Sequence, residues 1–297
     1  MNEYVIEIQG LSRRFGNKYA LQDIDVKVPQ GIVLGLVGEN GAGKTTLIKH
    51  LLGLLKAQTG TVRVFDKNPV EDPQGILSRI GYLSENREMP PWMQIDDYIC
   101  YTRAFYPGWD QQYEDELIKN FGLDRKQLIK NLSRGQKAKV GLLVAIAYKP
   151  DLLLFDEPSS GLDPVVRRDM LTAIVRTITE EGRTVVLSSH LLDEVERVAD
   201  QVVMLHAGKI VLSDTLEDIR LAHHQLIVRF EQSQPKKPVL PGMLSCEGGP
   251  TEWSCICREK FDTLKTAVLS LKGNIVECSS PSLDEIFVAR VKAGTIY

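Results

Sequence analysis

The chain has 297 residues, of which 43% are hydrophobic and 25% are charged, as in ordinary globular proteins. Its formal net charge of −3 gives no global attraction to nucleic acid. The longest apolar run near its middle, Leu142–Tyr148, is far shorter than the ~20 residues of a membrane-spanning helix. Met1–Tyr4 does not begin a secretory signal. We therefore expect a cytosolic protein that reaches a membrane only through another protein.

The first third of the chain alternates between β-like and helical patterns. The apolar run Ile32–Val37 is typical of a strand that is buried on both faces. Helical spacing of apolar residues follows at Thr45–Leu55. Further strands are predicted at Val5–Gln9, Ile24–Val28, Thr61–Phe65 and Ile80–Leu83.

Residues 86–130 mix aromatic and acidic side chains at helix-like spacing, without an apolar strand, which indicates a helical insertion. Strand and helix then alternate again, which predicts a mainly parallel sheet with helices packed on it. The predicted strands are Asp151–Phe155, Thr184–Ser188 and Gln201–Leu205, and the predicted helices are Val165–Glu181 and Leu191–Val198.

The composition changes after residue 221, and we interpret 222–297 as a small α+β domain. Its cysteines follow no common zinc-site spacing, so buried structural thiols are the favoured interpretation and a zinc site is the alternative. These cysteines are Cys246, Cys255, Cys257 and Cys278. The predicted strands are Gln225–Phe230, Glu252–Arg258 and Asn274–Cys278, and the helices are Phe261–Leu271 and Leu283–Val291.

A phosphate-binding loop is predicted at Gly38–Thr45, because this segment fits G-x-x-x-x-G-K-[ST] and lies between a buried strand and a helix. Its glycines let backbone N–H groups face phosphate oxygens, and the following helix adds the positive end of its dipole. We expect Lys44 to reach the β- and γ-phosphates, and the Thr45 hydroxyl to bind Mg²⁺. The expected nucleotide contacts are Gly38, Asn40, Gly41, Gly43, Lys44, Thr45 and Thr46.

Two carboxylates, Asp156 and Glu157, end a predicted buried strand, at the sheet edge where open α/β sheets bind ligands. We expect Asp156 to hold Mg²⁺ and Glu157 to orient or deprotonate the attacking water. His190 follows another apolar strand, so its imidazole can hydrogen-bond a γ-phosphate at the same edge.

The pentapeptide Leu132–Gln136 lies between the insertion and the two acids, at the start of a predicted helix. Together with the phosphate loop, the Gly-Tyr-Leu segment at 81–83 and Ser160–Asp163, it makes residues 4–220 resemble the nucleotide-binding subunits of ABC transporters. The resemblance implies a P-loop ABC ATPase domain over 1–221, with a mixed sheet and a helical subdomain at about 86–145.

The alternatives are another kind of P-loop NTPase and an ABC ATPase that acts on ribosomes or DNA. A P-loop GTPase or kinase has no reason to carry the pentapeptide. The chain contains one cassette, no heptad run and no basic stretch, unlike ribosome-acting or genome-maintenance ATPases. We therefore expect no nucleic-acid partner.

By resemblance, Phe15 stacks on the adenine of ATP, and ATP with Mg²⁺ is the expected ligand pair. Ser133, Gly135 and Gln136 resemble signature residues that contact the γ-phosphate of ATP on the opposite subunit. Asp163 resembles a residue that communicates across the dimer. The resemblance thus implies a head-to-tail homodimer, or a heterodimer with a related ATPase subunit.

Two residues depart from the family pattern. Arg134 stands at the third position of the signature, where the family usually has Gly, and the sequence leaves open whether its side chain approaches the triphosphate. Glu85 follows the segment 81–83 where the family usually has Gln, and we expect it to bind Mg²⁺ or the attacking water.

The end of the chain, Ser280–Phe287, resembles the tail of ATPase subunits of drug, antibiotic and sodium exporters. The implied protein is the ATP-hydrolysing subunit of an exporter, held on the inner face of the cell membrane by a separate transmembrane permease. The insertion would receive the permease through its aromatic segments Met89–Trp92 and Phe105–Trp109. We expect removal of 222–297 to spare nucleotide binding by the monomer.

Overall fold

The computed structural model describes residues 3–86, 88–179, 182–234 and 236–294, and leaves out the side chains of residues 169 and 176–179. The last two residues of the predicted helix Val165–Glu181 lie outside the described residues. The strands are β1 Tyr4–Phe15, β2 Lys18–Pro29, β3 Val33–Val37, β4 Thr59–Val64, β5 Ile80–Leu83, β6 Leu152–Asp156, β7 Thr184–Ser189, β8 Gln201–His206, β9 Lys209–Thr215, β10 His223–Phe230, β11 Met243–Gly248, β12 Glu252–Arg258 and β13 Gly273–Ser279.

The helices are α1 Lys44–Leu51, α2 Pro73–Leu77, α3 Ile95–Arg103, α4 Gln111–Phe121, α5 Arg134–Ile146, α6 Pro164–Thr179, α7 Leu192–Val198, α8 Leu216–Ala222, α9 Phe261–Ser270 and α10 Leu283–Ala293. A 3₁₀ helix spans Ile129–Asn131. No helix in the described ranges is both long and apolar enough to cross a lipid bilayer.

The central sheet has six strands in the order β5-β6-β7-β3-β8-β9. All neighbours pair in parallel except β8 and β9, so the prediction of a mainly parallel sheet is confirmed. Every residue of β3, β6 and β7 is buried, as their apolar sequences predict. Because parallel strands end at the same edge, Val37, Asp156 and Ser189 bring the three functional loops together.

The two faces of the central sheet belong to two cores. Leu152 and Leu154 of β6 pack with α1 and with the antiparallel sheet β2-β1-β4. The alternating residues Leu153 and Phe155 face the opposite core, with helices α3 to α7. β1 and β2 each have 12 residues and extend beyond the predicted runs, because their outer halves pair without a continuous apolar pattern.

The described residues of the insertion contain α3, α4 and the start of the 3₁₀ helix and no strand, as the helical pattern predicts, and α5 completes the helical subdomain. Polar side chains set its helix starts. The Asp110 carboxylate accepts the Tyr113 N–H at the start of α4, and Ser133 and Gln136 form a reciprocal capping box at the start of α5.

Residues from 223 onward build a four-stranded antiparallel sheet in the order β11-β12-β10-β13, with α9 on one face. β11 was not predicted, because its short sequence mixes polar and apolar residues without alternation. Cys246, Cys255 and Cys257 are buried in this domain's core, and burial raises the pKa of the Cys257 thiol to about 12. No group of three or more His, Cys, Asp or Glu side chains placed to hold a metal ion occurs in the described part of the chain.

The last helix, α10, returns to the part of the chain that contains the central sheet and packs against α7. Leu283, Ile286 and Phe287 are at most 6% exposed and belong to the same core as α5, α6 and α7. The buried Arg290 guanidinium donates from Nη1 to the Val211 carbonyl of β9 at 3.1 Å. This shared core predicts that removal of 222–297 destabilises the remaining chain, contrary to the expectation from the sequence.

Candidate active site

The loop from β3 to α1 has a backbone that only glycine accommodates at two points. A Cβ on Gly38 would lie 2.3 Å from the Leu205 carbonyl oxygen, and one on Gly43 would lie 2.5 Å from that of Ala20. Gly43 has φ 115°, and no side chain caps the helix that follows it. The N-terminal N–H groups of α1 therefore stay available to an anion.

Lys44 lies inside this loop and is only 5% exposed. Its ammonium group donates to the Gly38 carbonyl oxygen at 2.6 Å. The same Nζ lies 3.1 Å from Oε1 of Glu157, so the loop lysine pairs with the carboxylate at the end of β6.

Asp156 is 2% exposed, and its Oδ1 accepts hydrogen bonds from the hydroxyls of Thr45 at 3.2 Å and Ser188 at 2.8 Å. Burial raises the pKa of the Asp156 carboxyl; the two hydroxyls oppose that rise, and the charges of Glu157 and Glu85 add to it. A hydroxyl and a buried carboxylate are the hard oxygen ligands that Mg²⁺ prefers, and a cation would stabilise the ionised acid. Thr45 and Asp156 therefore fit a magnesium ion.

Glu157 connects the phosphate loop to His190. Its backbone is in the left-handed region at φ 50°, and its N–H donates to the Ser188 carbonyl oxygen at 3.2 Å. Its Oε1 faces Lys44, and its Oε2 lies 2.6 Å from Nδ1 of His190. The His190 side chain is 38% exposed, so it lies at the rim of the site and not in the core. The left-handed backbone of Glu157 stores ~1–3 kcal/mol of strain, which the hydrogen bonds around this residue must offset.

A cavity of about 330 Å³ lies between the loop and the carboxylates. Glu85 lies on its wall, where the Glu85 Oε1 accepts a hydrogen bond from the Ser160 hydroxyl at 3.2 Å. The structure thus brings all of the predicted loop contacts except Gly38 together with Glu85 and Glu157. The lining residues are Ala20, Asn40, Gly41, Gly43, Lys44, Thr45, Thr46, Glu85 and Glu157.

Other predicted contacts lie away from this cavity. The described lining residues do not include Phe15, Ser133, Gly135, Gln136 or Asp163. Phe15 is 51% exposed, and its ring centroid lies 4.9 Å from the Arg13 guanidinium carbon. A single chain therefore lines the cavity with residues of the loop and leaves these other predicted contacts outside it.

The pentapeptide Leu132–Gln136 leads into α5 at the surface of the chain. The Ser133 hydroxyl accepts the Gln136 N–H at 3.1 Å, and the Gln136 Oε1 accepts the Ser133 N–H at 2.9 Å. The Arg134 side chain lies along the loop before α6. Its Nη1 is 3.2 Å from the position that a Cβ atom on Gly161 would take.

Asp163 lies at the start of α6 and is exposed. Its Oδ1 accepts the N–H groups of Val165 and Val166, both at 3.1 Å. The carboxylate therefore satisfies the first N–H groups of α6, and this holds the loop Ser160–Asp163 against the helix.

Comparison with known proteins assigns this geometry to a family. The ABC transporter family model matches residues 21–160. The bacitracin transport ATP-binding protein BcrA of Bacillus licheniformis is 31% identical, over 80% of this chain and 78% of its own length. The daunorubicin/doxorubicin resistance ATP-binding protein DrrA of Streptomyces peucetius is 32% identical, over 96% of this chain and 91% of its own. The chain belongs to the ABC transporter ATP-binding proteins.

Solved structures agree with this assignment. The structure of an ATP-binding subunit of an ABC transporter superposes with a TM-score of 0.67 at 27% identity, and covers 73% of this chain and 92% of its own. The predicted ABC ATPase fold is therefore confirmed. The protein is an ATP-binding subunit of the ABC family with ATPase activity.

One residue of this ABC ATPase site was missed by sequence reasoning. Ser188 is fully buried, donates to Asp156 and accepts the Glu157 N–H at 3.1 Å. It therefore fixes the carboxylate and the backbone of the two acids at once. The only signal in the sequence is a polar residue near the end of an apolar strand, which is too common to identify its partner.

Proposed function

We propose that this ATPase subunit drives an exporter by closing head to tail, around ATP, with a second ATPase subunit. The observation that supports the proposal is the incomplete cavity: Lys44, Thr45 and Glu157 line it, while Ser133 lies exposed and Gly135 half-buried at the start of α5, outside the cavity wall. The N–H groups of a helix N-terminus suit a γ-phosphate. A second subunit that presents its own α5 would complete the site.

Each residue of the cavity has a proposed part in hydrolysis. Lys44 would exchange Glu157 for the β- and γ-phosphates, and this would leave Glu157 Oε1 available to orient and deprotonate water. Thr45 and Asp156 would hold Mg²⁺, which supplies positive charge to the phosphates when it is bound. Glu85 would contact the ion or the water, since it lies on the cavity wall. His190 would keep the Glu157 carboxylate oriented through Oε2.

The remaining contacts are proposed to form between the two subunits or with the adenine of ATP. Phe15 is exposed and can stack on adenine. Ser133, Gly135 and Gln136 would contact the γ-phosphate that the opposite subunit holds, and Asp163 would face that subunit from the start of α6. Whether the second subunit is identical or a related ATPase is decided by what co-purifies.

The helical insertion is the proposed docking surface for a separate transmembrane permease. Trp92 is 73% exposed, and Tyr101 and Phe105 are 55% and 63% exposed with ring centroids 5.2 Å apart. Large exposed aromatic side chains are typical of protein interfaces. An exporter is favoured because two relatives carry names that refer to bacitracin transport and to drug resistance. The domain 222–297 would assist dimerisation or regulation.

Purification of the tagged chain from solubilised membranes tests this function. We expect the chain to be held at the inner face of the cell membrane by a transmembrane permease, which should co-purify with it. The double variant Trp92→Ala with Phe105→Ala should abolish recovery of the permease while ATP binding persists. Leu54→Ala, at a 64% exposed apolar residue outside the insertion, is the matched control. Recovery with ribosomes or DNA and no permease would contradict the proposal.

A further inference from the structure

Glu194 on α7 is a buried carboxylate behind the ATP site that has no part in the roles above. It is 1% exposed. Its Oε2 accepts the hydroxyls of Ser159 at 2.7 Å and Ser189 at 3.2 Å. Its Oε1 lies 3.1 Å from Nε of Arg167. One carboxylate thus contacts three segments that are separate in the chain.

Both serine partners of Glu194 lie close in the chain to a residue of the hydrolytic site. Ser159 is two residues after Glu157. Ser189 directly precedes His190, and its hydroxyl also accepts the Leu191 N–H at 3.0 Å, so both neighbours of the histidine are held. The geometry of the turn that presents His190 therefore depends on the Glu194 contact.

Arg167 connects the same carboxylate to the surface that faces a second subunit. It lies one turn into α6, where its N–H donates to the Asp163 carbonyl oxygen at 3.0 Å. A displacement of Asp163 would shift this turn, and the ion pair would pass the shift to Glu194 and then to Ser189.

A buried carboxylate is costly to desolvate unless hydrogen bonds and a counter-charge compensate it. An apolar side chain would pack at this position of α7 without that cost, so stability alone does not account for an acid. Two hydrogen bonds from serine hydroxyls and one ion pair with Arg167 converge on it, and hydrogen bonds to an ionised acceptor fix direction as well as distance.

We propose that Glu194 is a positioning residue for ATP hydrolysis, which holds the segments of Glu157, His190 and Asp163 in one arrangement. The proposal rests on the ATPase activity of the site. The described hydrogen-bond and ion-pair partners of Glu194 are not lining residues of the cavity, so it would act through Ser159, Ser189 and Arg167.

The variant Glu194→Gln tests the proposal in the full-length chain. The amide keeps the size and one acceptor oxygen, but it must present an N–H₂ group either to the serine hydroxyls or to Arg167. We expect kcat for ATP to fall by about 10- to 100-fold, as for other outer partners of site residues. We expect the KM for ATP and the binding of a fluorescent ATP analogue to stay near wild type, because the cavity wall is unchanged.

Asp193→Asn is the matched control on the same helix. Its carboxylate is 65% exposed and pairs only loosely with Arg197, at 3.8 Å. We expect wild-type kcat and KM for this variant. Ser159→Ala and Ser189→Ala should each lower kcat by less than Glu194→Gln, and each should add little in a double variant with it, since contacts to one carboxylate are coupled.

A wild-type kcat in Glu194→Gln would overturn the proposal. So would an equal loss of kcat and of ATP affinity, because that result would indicate a structural role only. If Glu194→Gln fails to fold, Ser159→Ala with Ser189→Ala decides, and an unchanged kcat in it would refute the positioning role. A wild-type chain without ATPase activity would refute the activity itself, and with it this proposal.

Discussion

Replacement of Glu157 by Gln separates ATP binding from ATP hydrolysis. The carboxylate contacts Lys44 through Oε1 at 3.1 Å and His190 through Oε2 at 2.6 Å. A glutamine of the same shape can direct its carbonyl oxygen to Lys44 and its N–H₂ group to the imidazole, which accepts it as the tautomer without a proton on Nδ1. The fold and the cavity should therefore survive this change.

The expected loss in Glu157→Gln lies in turnover. An amide does not accept the proton of water, and general-base catalysis contributes ~10²- to 10⁴-fold, or about 3 to 5 kcal/mol of the barrier. Binding of ATP should persist, because the substitution removes the negative charge that competes with phosphate for Lys44. Phosphate release measures kcat, and a fluorescent ATP analogue measures affinity.

The control for this experiment is Asp151→Asn, at the opposite end of β6. That carboxylate is 54% exposed and pairs with Arg79 at 2.6 Å, far from the cavity in the strand direction. It should retain wild-type turnover. A normal rate of ATP hydrolysis in Glu157→Gln would refute the assignment of Glu157 as the base.

Three further predictions follow from the geometry. The Glu85 charge helps to raise the pKa of the Asp156 carboxyl, so Glu85→Gln should lower that pKa and move the acid limb of the pH profile of kcat/KM to lower pH. An acid limb at the wild-type pH would show that the charge of Glu85 does not affect Asp156. Phe15→Ala should raise the Kd for ATP by about 5- to 150-fold, the equivalent of ~1–3 kcal/mol of base stacking, with kcat little changed; an unchanged Kd would place the adenine elsewhere. Removal of residues 222–297 takes α10 out of the core, at a cost of ~2–5 kcal/mol for each large apolar side chain that is lost. The truncation should therefore abolish cooperative thermal unfolding, measured by circular dichroism. A truncated chain with the wild-type Tm would contradict the packing of α10 in this core.

The elements of the ATP site could be predicted from the sequence because the chemistry is local. The loop Gly38–Thr45 requires glycines at fixed spacing, and a buried parallel strand must deliver Asp156 to the sheet edge where the loop lies. Patterns of this kind depend on residues close together in the chain. The same holds for the helical insertion, whose spacing needs no tertiary information.

The parts that were missed depend on contacts between distant residues. Ser188 reaches the Glu157 N–H across 31 positions, and Glu194 reaches Ser159 across 35. α10 was predicted as a helix, but its amphipathic pattern does not state which surface it covers. β9 was missed because Lys209–Thr215 combines charged, apolar and polar residues, and it pairs only because β8 offers a free edge.

The central claim is that one chain contributes half of an ATP site. Native mass spectrometry of the membrane-extracted Glu157→Gln complex, prepared with Mg²⁺ and ATP, tests it most directly. We predict two ATPase subunits in each complex, either two copies of this chain or this chain with a related one, and ATP retained in both sites. A complex that retains ATP with a single ATPase subunit would contradict the account.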